Sequence, residues 1–158
     1  MLRRGNIQVS MAGIGGTMIR GAHDITMQVD GPLAEVEDLF DAIILPGGMG
    51  GTENLLASSE TITLLKRHAE AGKLVCAICA APWVLDKADL LAGKQATIYP
   101  GLESKLSGTW CADPVVQDGV ILTSKGPATA MAFALALVKE LAGEAVSIEV
   151  GKGLLYYS

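Results

Sequence analysis

The chain has 158 residues, 50% of them hydrophobic but only 4% aromatic, and carries a formal net charge of −5 with a sequence pI of ≈ 4.9. That length suits a single domain over residues 1–158 with a core of Ala, Val, Ile and Leu, and the acidic balance argues against a nucleic-acid partner. No apolar run reaches the ~18 residues of a membrane span, no signal-peptide pattern is present, and three cysteines, an odd number, fit a reducing cytoplasm better than a secreted disulfide framework.

Residues 1–5 read as the last turn of a helix, with Arg3 and Arg4 near the negative end of its dipole and Gly5 as a left-handed cap. Residues 7–11 alternate apolar and polar, the pattern of a half-buried strand. Residues 17–20 and 25–29 predict a hairpin with Gly21, Ala22, His23 and Asp24 at its tip, which places His23 at the surface. Asp30, Gly31 and Pro32 then break the chain, and residues 33–39 predict a helical turn under the sheet.

Ala42-Ile43-Ile44-Leu45 has the unbroken apolar character of a buried parallel strand, and it stops at Pro46-Gly47-Gly48-Met49-Gly50-Gly51. Four glycines in five positions let backbone N–H groups approach a ligand with no Cβ in the way. In an open parallel sheet, such loops form sites at the carboxyl ends of strands. Residues 54–57 and 60–71 predict helices, the second with Leu64, Leu65 and Ala69 on one face and Gly72 as its stop. Glu53 is the carboxylate nearest in sequence to the glycine loop, in a position that also suits a helix N-terminus. His68, between Arg67 and Ala69, is expected on a solvated face.

Leu74-Val75-Cys76-Ala77-Ile78-Cys79-Ala80-Ala81-Pro82 is the stretch on which the chemistry centres. It predicts a short buried strand that ends at Cys79 and passes into a helix at about Ala80 or Ala81, since Pro82 suits a first helical turn. Cys79 then sits where free backbone N–H groups and the positive end of a helix favour thiolate over thiol, the geometry of a nucleophile elbow. A buried structural cysteine is the plainer alternative.

Residues 83–88 continue the elbow helix and residues 90–93 close it. Residues 95–98 predict a strand that ends at Tyr99, a phenol too weakly acidic to serve as a base near neutrality and placed either to cover the pocket or to touch a substrate. Residues 101–112 read as a loop with an unreactive Cys111, and residues 115–122 as a hairpin around Asp118-Gly119. A helix is expected over residues 129–141 and another over 144–155, with Gly143 between them.

Several chemistries fit poorly. Cys76 and Cys79 have redox-pair spacing, but Cys76 falls inside a strand. Three cysteines and two distant histidines do not make a zinc site. A Cys-His peptidase with His directly after the nucleophile fits poorly too, because this chain has Ala80 there.

Three segments in order, Leu45-Pro46-Gly47-Gly48, Ala77-Ile78-Cys79-Ala80-Ala81-Pro82 and Thr123-Ser124-Lys125-Gly126-Pro127-Ala128-Thr129, resemble the signature segments of the ThiJ/PfpI superfamily. Within it they are most similar to the parkinsonism-associated protein deglycase branch and its bacterial relatives. The resemblance implies an α/β, flavodoxin-like fold, a doubly wound and mostly parallel sheet of the class I glutamine amidotransferase-like kind. It aligns residues 7–11 with the family's second strand, so the amino-terminal βα unit, with a conserved glutamate that partners the cysteine, is expected to be missing from residues 1–158. It also implies a glyoxalase III or deglycase-type enzyme acting on 2-oxoaldehydes such as methylglyoxal. Cys79 would be the nucleophile, Gly48 and Ala80 N–H groups the oxyanion hole, and Gly47, Tyr99 and Pro127 the substrate contacts. Many relatives carry histidine at the position of Tyr99. No metal and no cofactor are expected, a homodimer is, and a separate amino-terminal segment is a candidate partner. The alternatives are an oxidative-stress sensor or redox-regulated chaperone working through oxidation of Cys79, and an inactive fragment.

Overall fold

Three apolar runs, β5 (Ala42–Leu45), β6 (Leu74–Ile78) and β10 (Ile121–Ser124), lie side by side and parallel, with β9 (Val115–Asp118) antiparallel at the outer edge. The structure, a computed structural model, describes residues 1–157. Before this sheet come β1 (Ala12–Gly13), β2 (Met18–Arg20), β3 (Thr26–Gln28) and β4 (Gly31–Pro32); β2 and β3 form the expected hairpin, and β1 pairs with β4. The crossover from β5 to β6 is made by α1 (Met49–Ala57) and α2 (Ser59–Glu70). From β6 the chain runs through α3 (Pro82–Lys87), β7 (Gln95–Ala96) and β8 (Thr109–Trp110), and after β10 it ends in α4 (Ala130–Ala142) and α5 (Glu144–Gly153).

One face of the sheet packs Leu65 of α2 and Val84 and Leu85 of α3 against Leu45, Val75, Ala77 and Ile121. The other packs Phe133 and Leu137 of α4 against Cys76 and Leu122. The inner residues of β6 are buried on both faces, which is why it reads as an apolar run without alternation. The ends of α2 follow local rules. Ser58 Oγ accepts the Thr61 N–H at 3.1 Å, and Gly72 at φ 70° lets Lys73 N–H reach the His68 carbonyl at 2.9 Å.

Several expectations are corrected. The left-handed cap after the first turn (Leu2–Gly5) is Asn6, at φ 57°; Gly5 is buried instead, where a methyl would sit 3.0 Å from Val138 Cγ1. Residues 7–11 do alternate in burial but join no sheet among the described residues. The segment after Pro32 makes only the short turn Leu33–Glu35. The strand expected over residues 95–98 is two residues long, because the Thr97 N–H turns to the Thr123 hydroxyl at 2.9 Å. The region 101–112 holds β8 and a short turn, Glu103–Lys105. The elbow helix ends at Lys87, two residues before Asp89 takes a left-handed conformation at φ 61°.

The largest correction is His68. It is 1% exposed, with Nδ1 donating to the Leu64 carbonyl at 2.7 Å and Nε2 accepting the Phe40 N–H at 3.2 Å. The residues just before β5 cover this side of α2, so a helix position with charged neighbours becomes interior. Replacing His68 with leucine leaves the Phe40 N–H without its acceptor. The urea unfolding midpoint should fall by the equivalent of about 1–3 kcal/mol.

Candidate active site

Cys79 follows the last residue of β6 and has φ 67°, a left-handed conformation that costs a side-chain-bearing residue of order 1–3 kcal/mol. Both its backbone groups are held. Its N–H donates to the Ser124 carbonyl at 2.9 Å, continuing the β6–β10 ladder, and its carbonyl accepts the Tyr99 N–H at 2.9 Å. The chain then turns at Ala80 and Ala81 into α3, with Pro82 as its first residue. This is the elbow expected from the sequence. The helix α3 has six residues, and the turn before it is closed by the Ala81 N–H donating to the Ile78 carbonyl at 3.2 Å.

The glycine loop closes on the cysteine from β5. A methyl at Gly47 would overlap Cys79 Cβ and lie 2.7 Å from the Ile78 carbonyl and 3.1 Å from Cys79 Sγ. Gly48, at φ 87°, then caps α1. The N–H groups of Gly48 and Ala80 make no hydrogen bond within the described residues, so both remain able to donate to an oxyanion. Tyr99 is 47% exposed, and a methyl on Gly126 would lie 3.3 Å from its Cδ2. Through this contact the turn Pro127–Thr129, with Pro127 exposed, stands beside Tyr99.

The other candidates stay apart. Glu53 is exposed in the middle of α1, and among the described residues no carboxylate or imidazole is hydrogen-bonded to Cys79. His23 is exposed at the hairpin tip. Cys111 is partly exposed beyond β8, with Sγ 3.8 Å from Gln95 Oε1.

Cys76 is sealed between sheet and α4, and burial, with a smaller effect of the Glu140 charge, pushes its thiol up to about 12. Its folded value is above the 9.0 of an unperturbed thiol, so its contribution to stability is complete below pH 9 and is lost as the pH rises toward 12. Iodoacetamide at pH 8 should therefore modify Cys79 and spare Cys76 in the folded protein, and modify both in urea, as read by peptide mass.

Sequence reasoning missed what holds the loop carrying Tyr99. Lys105 Nζ lies 4.3 Å from the centroid of the Trp83 ring, and Asp86 accepts the Ser107 N–H at 2.6 Å and hydroxyl at 2.7 Å. Both anchors sit on α3. The spacing of Trp83 and Asp86 marks one helix face, but nothing local names their partners.

The sequence pattern of the DJ-1/PfpI family matches residues 1–140. The chain belongs to this family. Protein dj-1beta of Drosophila melanogaster is 42% identical over 160 residues, covering 98% of this chain and 86% of the relative. The Parkinson disease protein 7 homolog of Danio rerio is 32% identical with the same coverages. The crystal structure of Drosophila DJ-1beta superposes with a TM-score of 0.93 over 98% of this chain and 86% of that one. Toxoplasma gondii DJ-1, described as oxidized, also gives 0.93, at 32% identity and the same coverages. The DJ-1/PfpI resemblance read from three segments thus holds, and with it the flavodoxin-like α/β fold. As a DJ-1-like chain, it has its sheet between helical layers and no described helix long and apolar enough to cross a membrane.

Proposed function

We propose that the chain is a cysteine-dependent enzyme of the glyoxalase III or deglycase type, acting on small 2-oxoaldehydes such as methylglyoxal. The observation that carries this reading is Cys79 held at φ 67° beside two free N–H donors, with Gly47 packed against it. The Cys79 thiolate adds to the aldehyde carbon, and the new oxyanion takes hydrogen bonds from Gly48 and Ala80 before protonation to a hemithioacetal. A base removes the proton on that carbon to give an enediol. Protonation at the neighbouring carbon then yields a thioester of the 2-hydroxy acid, and water releases lactate and the free thiol. Gly47, Tyr99 and Pro127 border the substrate. The proton removal needs a general base, and among the described residues no carboxylate or imidazole is hydrogen-bonded to Cys79. Turnover of methylglyoxal in D2O, followed by NMR, tests the sequence of steps: lactate should carry deuterium at its 2-position, and absence of lactate ends this reading.

A second reading, an oxidative-stress sensor, is favoured by the oxidized Toxoplasma gondii relative. Cys79 is partly exposed while Cys76 is buried, so peroxide would convert the Cys79 thiolate to sulfenate and then sulfinate, one peroxide consumed at each step. Intact mass separates the two readings by a gain of two oxygens at Cys79 without turnover. We further propose a cytoplasmic homodimer. Ile25 and Met27 expose apolar side chains along one edge of the β2–β3 hairpin and Met18 exposes another on its opposite face, surfaces suited to a second copy, and analytical ultracentrifugation reports the mass.

A further inference from the structure

The last residue of β10 is tied to more of the site than its place in the ladder requires. Ser124 is fully buried; its carbonyl receives the Cys79 N–H, and its hydroxyl lies 3.0 Å from the Pro114 carbonyl and 2.7 Å from Thr129 Oγ1. Thr129 Oγ1 also accepts the Gly126 N–H at 3.0 Å and lies 2.8 Å from the Gly126 carbonyl. Two hydroxyl protons serve three contacts, so one carbonyl is left to a backbone donor: either Thr129 donates to Ser124 and Ser124 to Pro114, or Ser124 donates to Thr129 and Thr129 to Gly126. Both carbonyls keep a partner in either direction, Gly126 the Thr129 N–H at 2.9 Å and Pro114 the Lys125 N–H at 3.1 Å.

This chain of bonds joins the Cys79 elbow to the turn at Gly126, and it adds to the direct bond from the Tyr99 N–H to the Cys79 carbonyl and to the bond from the Thr97 N–H to the Thr123 hydroxyl. Ser124 holds Cys79 through the backbone, and Thr129 holds the turn at Gly126, which lies against the Tyr99 ring. Gly126 has φ 172°, ordinary extended backbone, so a side chain there would be crowded only by the Tyr99 ring, 3.3 Å from an added methyl.

We propose that the Ser124–Thr129 hydroxyl pair is a positioning device of the active site, holding the Gly126 turn against the Tyr99 ring in addition to the direct backbone bond between Tyr99 and Cys79. The pair touches no substrate; this role rests on the reading of Cys79 as the nucleophile. Replacing Thr129 with valine keeps the shape and removes the bonds, so the turn is free to shift. A misplacement well under an ångström there should lower kcat for methylglyoxal about tenfold or more with a smaller change in KM.

The test compares wild type, Thr129→Val, Thr129→Ser and Ser124→Ala by amide exchange with mass readout and by turnover. Exchange of peptides carrying the Cys79 and Tyr99 N–H groups should rise about tenfold or more in Thr129→Val and Ser124→Ala, with α5 unchanged, and Thr129→Ser should restore both exchange and kcat to within about twofold. Unchanged exchange in folded Thr129→Val overturns the proposal, whatever the turnover. Failure of Thr129→Ser to rescue also overturns it, since the methyl and not the hydroxyl would then be responsible. If wild type makes no lactate while exchange responds as described, the positioning role stands and the enzyme reading fails.

Discussion

Gly47→Ala is expected to remove turnover and to destabilise the protein in the same step. The added methyl meets Cys79 Cβ and the Ile78 carbonyl, at 2.7 Å from the latter, and neither is the far end of a flexible side chain. Relief requires β5 and β6 to separate at their carboxyl ends, or the elbow to turn away from the glycine loop. Either movement draws the Gly48 N–H away from the oxyanion position, and loss of one such donor lowers kcat about 10²–10³-fold. Overpacking of this kind costs about 1–3 kcal/mol. Urea unfolding and methylglyoxal turnover of the purified variant check both effects. A variant with wild-type stability and full activity would show that the loop does not close on Cys79 as described.

The second large effect separates chemistry from strain at Cys79. Cys79→Ala and Cys79→Gly both lack the nucleophile, and both should lose at least about 10³-fold in turnover. Their stabilities should differ. Alanine keeps a Cβ at φ 67°, whereas glycine adopts that conformation freely, so the glycine variant should unfold about 1 kcal/mol later than the alanine variant. The Cys79 backbone bonds to Ser124 and Tyr99 do not involve the side chain and are retained in both. If the alanine variant is the more stable of the two, the elbow stores no strain, and the conformation of Cys79 is no evidence of selection for reactivity.

The elements that carry the site were legible because their information is local. An apolar run ending on Cys79, followed at once by Ala80, Ala81 and Pro82, specifies strand, corner and helix within nine residues, and the glycines after Leu45 specify a loop with exposed N–H groups. The Asp118-Gly119 hairpin and the Gly72 helix stop were readable for the same reason, since a turn is encoded by the residues that make it.

Long-range packing decided the rest. His68 looked solvated beside its charged neighbours, and its burial depends on Phe40, 28 residues away. The two-residue strands β7 and β8 have too few residues to show a period, and they exist because Gln95 and Ala96 meet Thr109 and Trp110. The anchors from α3 to the Tyr99 loop span 21 residues between Asp86 and Ser107. Short-range pattern therefore determined the elbow and the cysteine that occupies it, and the fold class followed from the resemblance of three segments to a known family. Which polar groups hold that cysteine in register with Tyr99 was decided by tertiary structure, because a hydrogen bond between distant segments depends on where the sheet brings them and leaves no periodic trace in either one.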